Sequence, residues 1–419
     1  MKTYAIVGAG SRCTSMFALP MVKQFSDVAK IVGVYDTNIK RAELLQHKCG
    51  GGFPVYESFE QMVRDAKPDI VLVTTIDKYH HEYIIKAMEM GCDAISEKPL
   101  TIDEDKCNAI LEAEQRTGRK VTVTFNMRYR PFAARIKELL QQRTIGSILS
   151  VHFEWFLDTR HGADYFRRWH RRKENSGGLL IHKSTHHFDF INWLLEEEPV
   201  QVSSYGTLRF YGPTREQRGT RCLTCSHKQT CEFYFDIEAF SNRDLYLDCE
   251  DVDAYYRDQC VFSEEIDIED SVSLHVKYAG GALMSYSLTA HSPLEGFRLA
   301  INGSEGRMEA ETYHGEVGPY AGEDINRLRV YNRMQEEITY KIPVATGAHG
   351  GGDERLLNML FRGNLNDPLH QQASSWDGAM SNAIGFAANK SMREGSSILI
   401  GDLIRKPNGT SEGTIEGTS

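Results

Sequence analysis

Ser96-Glu97-Lys98-Pro99-Leu100 closes a short apolar run, Cys92-Asp93-Ala94-Ile95, and sets a lysine where an open α/β sheet presents its chemistry. The residue before a proline is restricted to extended backbone, so Lys98 is expected at the carboxyl end of a strand, outside the helix that follows. That helix is expected to open on Thr101-Ile102-Asp103-Glu104, a capping box. A lone lysine between strand and helix is ordinarily a solvated surface residue. Its surroundings make Lys98 the candidate catalytic base.

Near the start, Tyr4-Ala5-Ile6-Val7 runs into Gly8-Ala9-Gly10 and then a helix-like stretch from Met16 to Phe25. Strand, glycine turn and helix in that order let backbone N–H groups and the helix dipole receive a pyrophosphate. The third glycine of the usual fingerprint is replaced by Cys13. A second strand, Ile31-Val32-Gly33-Val34-Tyr35, ends in Asp36, where an acid would accept from the adenosine ribose hydroxyls. An acid there disfavours a 2′-phosphate, so NAD is expected over NADP, although Lys40 and Arg41 follow closely.

The other chemistry-bearing runs lie further on. His182-Lys183-Ser184-Thr185-His186-His187-Phe188-Asp189 gathers proton-transferring and cationic groups. The i,i+4 spacing of His182 and His186 would also suit zinc, but no third ligand accompanies it. Arg160, His161, Tyr165, Arg168, Trp169 and His170 crowd one loop, the composition that stacks and bonds a sugar ring, including an anionic one. Cys222, Cys225 and Cys231 cluster in a polar insertion from about 213 to 263. That spacing suits a structural zinc, with Cys260 as the expected fourth ligand and Cys249 or His227 as alternatives. Free thiols and an iron–sulfur centre are the other readings. The acidic, aromatic stretch Tyr246 to Tyr256 reads as a lid over a sugar or as an oligomer contact.

The elements that must position these groups follow from the pattern. Asp69 to Thr75 reads as a buried strand, counted as the fourth, and His80 and Glu82 open a helix to Met90. A helix from Asp103 to Thr117 and a strand from Lys120 to Phe125 complete an alternation that predicts a doubly wound parallel sheet over residues 1–126. Beyond it the grammar changes. After a helix from Pro131 to Gln142, strands are expected at Ile148–Leu157, Val200–Tyr211, Ser271–Tyr278, Ala282–Ala290, Arg298–Gly303 and Arg307–Glu311. Gly177-Gly178 introduces a helix to Leu195, and two more helices, Glu354–Arg362, with Asp353 as its expected N-cap, and Ser375–Arg393, close the chain. Residues 127–405 are therefore expected to form a second α/β domain with a large, open, mostly antiparallel sheet covered on one face by helices. Residues 406–419, rich in Gly, Thr, Ser and Glu, are expected to be a disordered tail.

Composition narrows the function. The chain has 419 residues, 41% hydrophobic and 25% charged, ordinary for a globular protein. Its net charge of −10, from 48 Lys and Arg against 58 Asp and Glu, argues against nucleic-acid or anionic-membrane partners. No secretion signal is evident, no apolar run nears the roughly 18 residues of a membrane helix, and nine cysteines fit a reducing compartment. A cytoplasmic enzyme is expected.

Taken together, Gly8-Ala9-Gly10, Glu97-Lys98-Pro99, Asn126-Met127-Arg128-Tyr129-Arg130-Pro131, the Trp169 segment and Gly177-Gly178 to Asp189 resemble the Gfo/Idh/MocA oxidoreductases, over nearly the whole chain to about residue 405. The resemblance implies an N-terminal Rossmann domain, with Glu-Lys-Pro after its fifth strand and a cis peptide at Lys98-Pro99. It also implies a C-terminal domain whose sheet face makes a homodimer or homotetramer, and hydride transfer between NAD(P) and a sugar or cyclitol hydroxyl. Cofactor contacts are then expected at Gly8, Gly10, Ser11, Arg12, Asp36, Thr74, Thr75, His80, Glu97, Lys98 and Asn126. Catalysis falls to Lys98, His186 and His182, and substrate contacts to Lys98, Arg128, Tyr165, Trp169, Lys183, His186, His187 and His349. At one position the chain departs from the family pattern: the Asp four residues before the catalytic His is replaced by His182. The same family includes NAD-dependent redox glycosidases, which keeps that chemistry as an alternative. A non-catalytic sugar-responsive regulator is the alternative of another class.

Overall fold

Five short strands rich in β-branched and small apolar residues make the first sheet: β1 (Lys2–Val7), β2 (Ala29–Tyr35), β3 (Ile70–Val73), β4 (Asp93–Ser96) and β5 (Val121–Val123). They run parallel in the order β5-β4-β3-β1-β2. In this computed structural model the described residues are 1–314, 318, 323, 325–363 and 366–406; the tail expected from 406 on lies, past Lys406, outside them. β3 is buried at every residue, as parallel strands covered on both faces must be. Helices His80–Glu89 and Glu104–Thr117 pack Ile84, Cys107 and Ile110 on one face. Phe17 and Met21 cover the other, joined by Leu356, Leu357 and Phe361 from the distant helix Gly352–Arg362. The Asp69–Thr75 run is thus the third strand in the chain, and Glu97-Lys98-Pro99 follows the fourth. No further strand stands between β2 and β3, only an isolated bridge from Val34 to Val55.

The second sheet contains β6 (Ile148–Asp158), β7 (Pro199–Thr207), β8 (Ser271–Tyr278), β9 (Leu283–Ser292), β10 (Glu295–Gly303), β11 (Gly306–His314), β12 (Ile325–Asn332) and β13 (Glu337–Pro343). Its order is β13-β12-β11-β10-β6-β9-β8-β7, with the two-residue strand Ile398–Leu399 beyond β7. Every pairing is antiparallel except β6 with β9. On β8, Val272, Leu274, Val276 and Tyr278 point into the core while Ser273, His275 and Lys277 are exposed, so one face is dry and one is polar. Helices Thr185–Leu195 and Ser375–Glu394 cover the dry face. β13 had no readable apolar period, because it is exposed or half-exposed at every residue, and β12 buries only Leu328 and Val330.

Late parts of the chain return to the first sheet. The strand Ala373–Ser374 pairs antiparallel with β5, and Ser374 then caps the 20-residue helix Ser375–Glu394 through a reciprocal bond with Asp377. Such a cap contributes about 1 kcal/mol. Two caps differ from expectation. The helix after Lys98 is capped by Asp103, whose carboxylate accepts from the Lys106 N–H at 2.9 Å, while the Thr101 hydroxyl is buried without a partner. The helix Gly352–Arg362 follows Gly351, and Asp353 lies inside its first turn with its carboxylate committed elsewhere.

Candidate active site

The glycine turn is built to be approached closely. Gly8 has φ +91°, and a Cβ there would sit 2.7 Å from the Thr74 and Thr75 backbone, so the strand ends of β1 and β3 touch only because it is glycine. The Thr74 hydroxyl donates to the Gly8 carbonyl at 2.6 Å. At Gly10 a Cβ would meet nothing within 4 Å, so the space beside the turn is open to a ligand. Asp36 accepts from the backbone N–H of Ala9 at 2.6 Å and of Asn38 at 2.7 Å, which ties the end of β2 to the turn. Arg12 continues the link, donating to Glu97 at 3.0 Å with Asp353 at 3.7 Å.

Lys98 leaves β4 through a cis peptide to Pro99, and its Nζ donates to the His182 carbonyl at 2.8 Å. Burial pushes its pKa down, opposed by the charges of Asp77 and Glu97. A lysine in that state can be a neutral base near neutral pH. Asp77 joins this group from outside the expected set. Buried after β3, it sets Oδ2 2.6 Å from His182 Nδ1, and burial raises its carboxyl well above the ordinary range, against the pull of Lys98. Burial first and Lys98 next hold His182 neutral. With Nδ1–H directed at Asp77, Nε2 remains as the acceptor.

The helix carrying these histidines is broken, Leu179–His182 and then Thr185–Leu195. The break brings His182, Lys183, His186 and His187 onto different walls. His186 faces the cavity, its ring edge-on to Phe125 at 5.9 Å, its Nδ1 buried without a partner, and its pKa pushed well down by burial. His187 stacks on Trp155 at 3.9 Å and sets Nδ1 2.7 Å from the Tyr286 hydroxyl. Lys183 holds its ammonium 5.1 Å over the Trp155 ring, and burial, opposed by Glu295, brings its pKa down to about 7.

One cavity of about 670 Å³ runs from Ser11 and Arg12, just past the glycine turn, to this cluster; Gly8, Gly10 and Asp36 do not line it. Among the expected residues it is lined by Ser11, Arg12, Thr74, Thr75, His80, Glu97, Lys98, Asn126, Tyr165, Trp169, His182, Lys183, His186, His187 and His349. Two of these share Asp353: Asn126 donates to its Oδ1 at 2.6 Å, and His349 Nδ1 is 2.8 Å from its Oδ2. His80 braces the cavity, with ring nitrogens 2.8 Å from the Pro99 carbonyl and 3.1 Å from that of Thr75. Asp77, Arg130, Trp155, Glu295 and His314 line it too. Asp77 had a signal, since polar residues at a strand's carboxyl end mark ligand positions. Glu295 and His314, from β10 and β11, had none. A separate groove of about 370 Å³ on the polar face of the second sheet holds no such cluster.

Two expectations are corrected. Arg128 does not reach the cavity: it is buried in a bidentate pair with Asp189 at 2.9 and 2.6 Å and bonds Asp377 at 3.0 Å, a joint between helices. The zinc site at Cys222, Cys225, Cys231 and Cys260 is not supported either. These thiols line one small cavity, but among the described residues no three His, Cys, Asp or Glu side chains stand together to hold a metal ion. The insertion has another staple, and Arg167 instead donates to Cys222 at 3.1 Å. Arg221 bonds both Glu250 and Asp258, and Ile237, Leu245 and Tyr246 form a small apolar core against Leu44 of the first sheet's layer.

Comparison with known proteins agrees with this geometry. Residues 2–125 match the family model described as "Oxidoreductase family, NAD-binding Rossmann fold", and residues 137–400 its "C-terminal alpha/beta domain". The fold and the cleft define an NAD-binding oxidoreductase. The chain belongs to the Gfo/Idh/MocA family. It is 39% identical over 430 residues to YteT of Bacillus subtilis strain 168, named an oxidoreductase, covering 97% of this chain and 100% of that one. An inositol 2-dehydrogenase/D-chiro-inositol 3-dehydrogenase of Lactiplantibacillus plantarum is 25% identical over 159 residues, 38% of this chain and 41% of that one. Among solved structures, a levoglucosan dehydrogenase in complex with NADH and levoglucosan superposes with TM-score 0.67 at 19% identity, over 95% of this chain and 98% of that one.

Proposed function

We propose that the protein transfers a hydride between NAD and a secondary hydroxyl of a sugar or cyclitol, on a substrate that carries a carboxylate or similar anion. The observation that carries this reading is Lys98, its pKa lowered by burial, opening into the same cavity as Ser11 and Arg12 at the end of the glycine turn. NAD, bound along that turn, supplies the hydride acceptor. As hydride leaves the carbinol carbon, the hydroxyl proton passes to Lys98, with His186 as the second acid/base group. Neutral His182, oriented by Asp77, takes the place of the family's aspartate. Tyr165, Trp169 and His349 frame the ring. Arg130 has a buried Nε with no partner, and Lys183 lies in the same cleft; together they give the anion a place to dock. The named activities of the inositol and levoglucosan relatives support a carbohydrate substrate. Residues 1–126 serve the cofactor and 127–405 the substrate. The polar face of the second sheet is the assembly face of a homodimer or homotetramer, and the nine unpaired cysteines support a cytoplasmic location. No helix among the described residues is long and apolar enough to cross a membrane.

The test is absorbance of reduced nicotinamide, with the protein, NAD and a panel of neutral sugars, cyclitols and their uronic acids. Turnover with a uronate and none after Lys98→Ala supports the reading. No hydride transfer with any member, together with tight sugar binding, supports a regulator instead. A second reading, redox-assisted glycoside cleavage, is favoured by the Asp77–His182 pair, which adds a proton-transfer group beyond the one an oxidation uses. Aryl glycosides in deuterated water separate the two. Release of the aryl alcohol with deuterium beside the oxidised carbon and no net NADH selects cleavage.

A further inference from the structure

The insertion between β7 and β8 does not hang free. Its segment Arg243–Asp253 lies against Asn38 and the helix Ile39–Lys48 that follow β2, where a Rossmann sheet carries the adenosine half of a dinucleotide. The Tyr246 hydroxyl is 2.8 Å from the Ser11 hydroxyl, directly past the glycine turn. Asn38, two residues after Asp36, donates to the Cys249 carbonyl at 2.9 Å in a buried bond. Arg41 donates to the Leu245 carbonyl at 2.9 Å and to both Asp253 oxygens, at 2.5 and 3.3 Å. Lys40 donates to both Asp251 oxygens, at 2.8 and 2.6 Å. Leu44 packs on Leu245 and Tyr246 beneath them.

Lys40 and Arg41 are the cations that would otherwise receive a 2′-phosphate, and here each is answered by an acid from the insertion. Those acids bring negative charge to the position where the phosphate would lie. A dinucleotide seated along the glycine turn would also have this segment above its diphosphate. It could leave only after the Ser11, Asn38 and Arg41 contacts open.

We infer that the insertion is a strap over the adenosine half of the cofactor, that Asp251 and Asp253 enforce NAD against NADP, and that the closed strap keeps NAD on the protein between turnovers. The strap is continuous with the substrate cleft, since Asn242 at its start lines the same cavity.

The experiment reads binding and needs no substrate. NADH release from the full-length protein is followed by stopped-flow nicotinamide fluorescence after mixing with excess NAD, and NADPH affinity by titration. Asp251→Asn with Asp253→Asn is expected to speed NADH release about tenfold and to bring NADPH affinity towards that of NADH, as Arg41 and Asp253 are largely buried and truncating one partner of a buried hydrogen-bonded charge pair acts mainly on release. Tyr246→Phe is expected to quicken release without changing the NADH/NADPH ratio. Where the double variant melts early, the exchange Lys40→Asp with Asp251→Lys restores one pair and is expected to return slow release. Release and discrimination unchanged in a well-folded double variant overturn the inference. So does wild-type protein that binds no NADH while the double variant binds it, because the segment would then block the site instead of covering its occupant.

Discussion

Replacing Asp77 by asparagine probes a cavity carboxyl whose partners, His182 and Lys98, are both assigned to the chemistry. The carboxylate oxygen lies 2.6 Å from His182 Nδ1, and its charge is the largest influence holding Lys98 protonated against burial. Two effects follow. A hydrogen bond to a charged group contributes about 1.5–3 kcal/mol, so loss of the charge on His182's partner is expected to lower kcat/KM by about ten- to a hundredfold. An opposite charge nearby shifts a pKa by about 1–3 units, and here the shift has a definite sign. Asp77 raises the pKa of Lys98, so its removal lowers it. If neutral Lys98 is the base, activity falls as pH drops through that pKa, and the acid limb of the kcat/KM profile must move to lower pH. The assay is the pH profile of NADH formation in wild type and Asp77→Asn, with thermal melts on both. An acid limb that stays put or moves upward, in a variant that melts like wild type, refutes Lys98 as the base under Asp77's control.

Three further outcomes are expected. Arg128→Met leaves the Asp189 carboxylate buried without its partner and should cost about 3–5 kcal/mol in urea unfolding, while adding Asp189→Leu should recover much of it; a neutral single variant would show the pair to be idle. With a carboxylated substrate, KM should rise as pH passes upward through about 7, because Lys183 then loses its proton, whereas the neutral analogue shows no such rise; Lys183→Arg, which stays charged, should flatten it. Washing with a chelator should leave Tm unchanged, and a fall of more than about 5 °C would restore a metal to the cysteine cluster.

The first sheet and the Lys98 turn were readable because their signals are local. A glycine that only a close strand contact requires, and a proline that holds its neighbour extended, each act within a few residues. The alternation of β8 was readable for the same reason, one face being dry. What failed to show was set by distant partners. Arg128 looked like a substrate contact until Asp189 and Asp377 were brought onto it. Asp353 looked like a cap, yet its carboxylate is shared by Asn126, His349 and Arg12. The insertion looked merely polar because its small core of Ile237, Leu245 and Tyr246 is completed by Leu44, from a helix about 200 residues earlier.

The two-residue strand Ala373–Ser374 has a consequence for how the protein is born. β5 acquires that partner from a segment roughly 250 residues downstream, which at about 5–20 residues per second leaves the ribosome some tens of seconds later. Until then the edge of the first sheet is unpaired, and the surface that helices Gly352–Arg362 and Ser375–Glu394 will cover is bare. Open strand edges of this kind template association with other chains. The cofactor-binding half therefore cannot be finished before the substrate-binding half has been made, and an excised 1–126 fragment should aggregate where the whole chain does not.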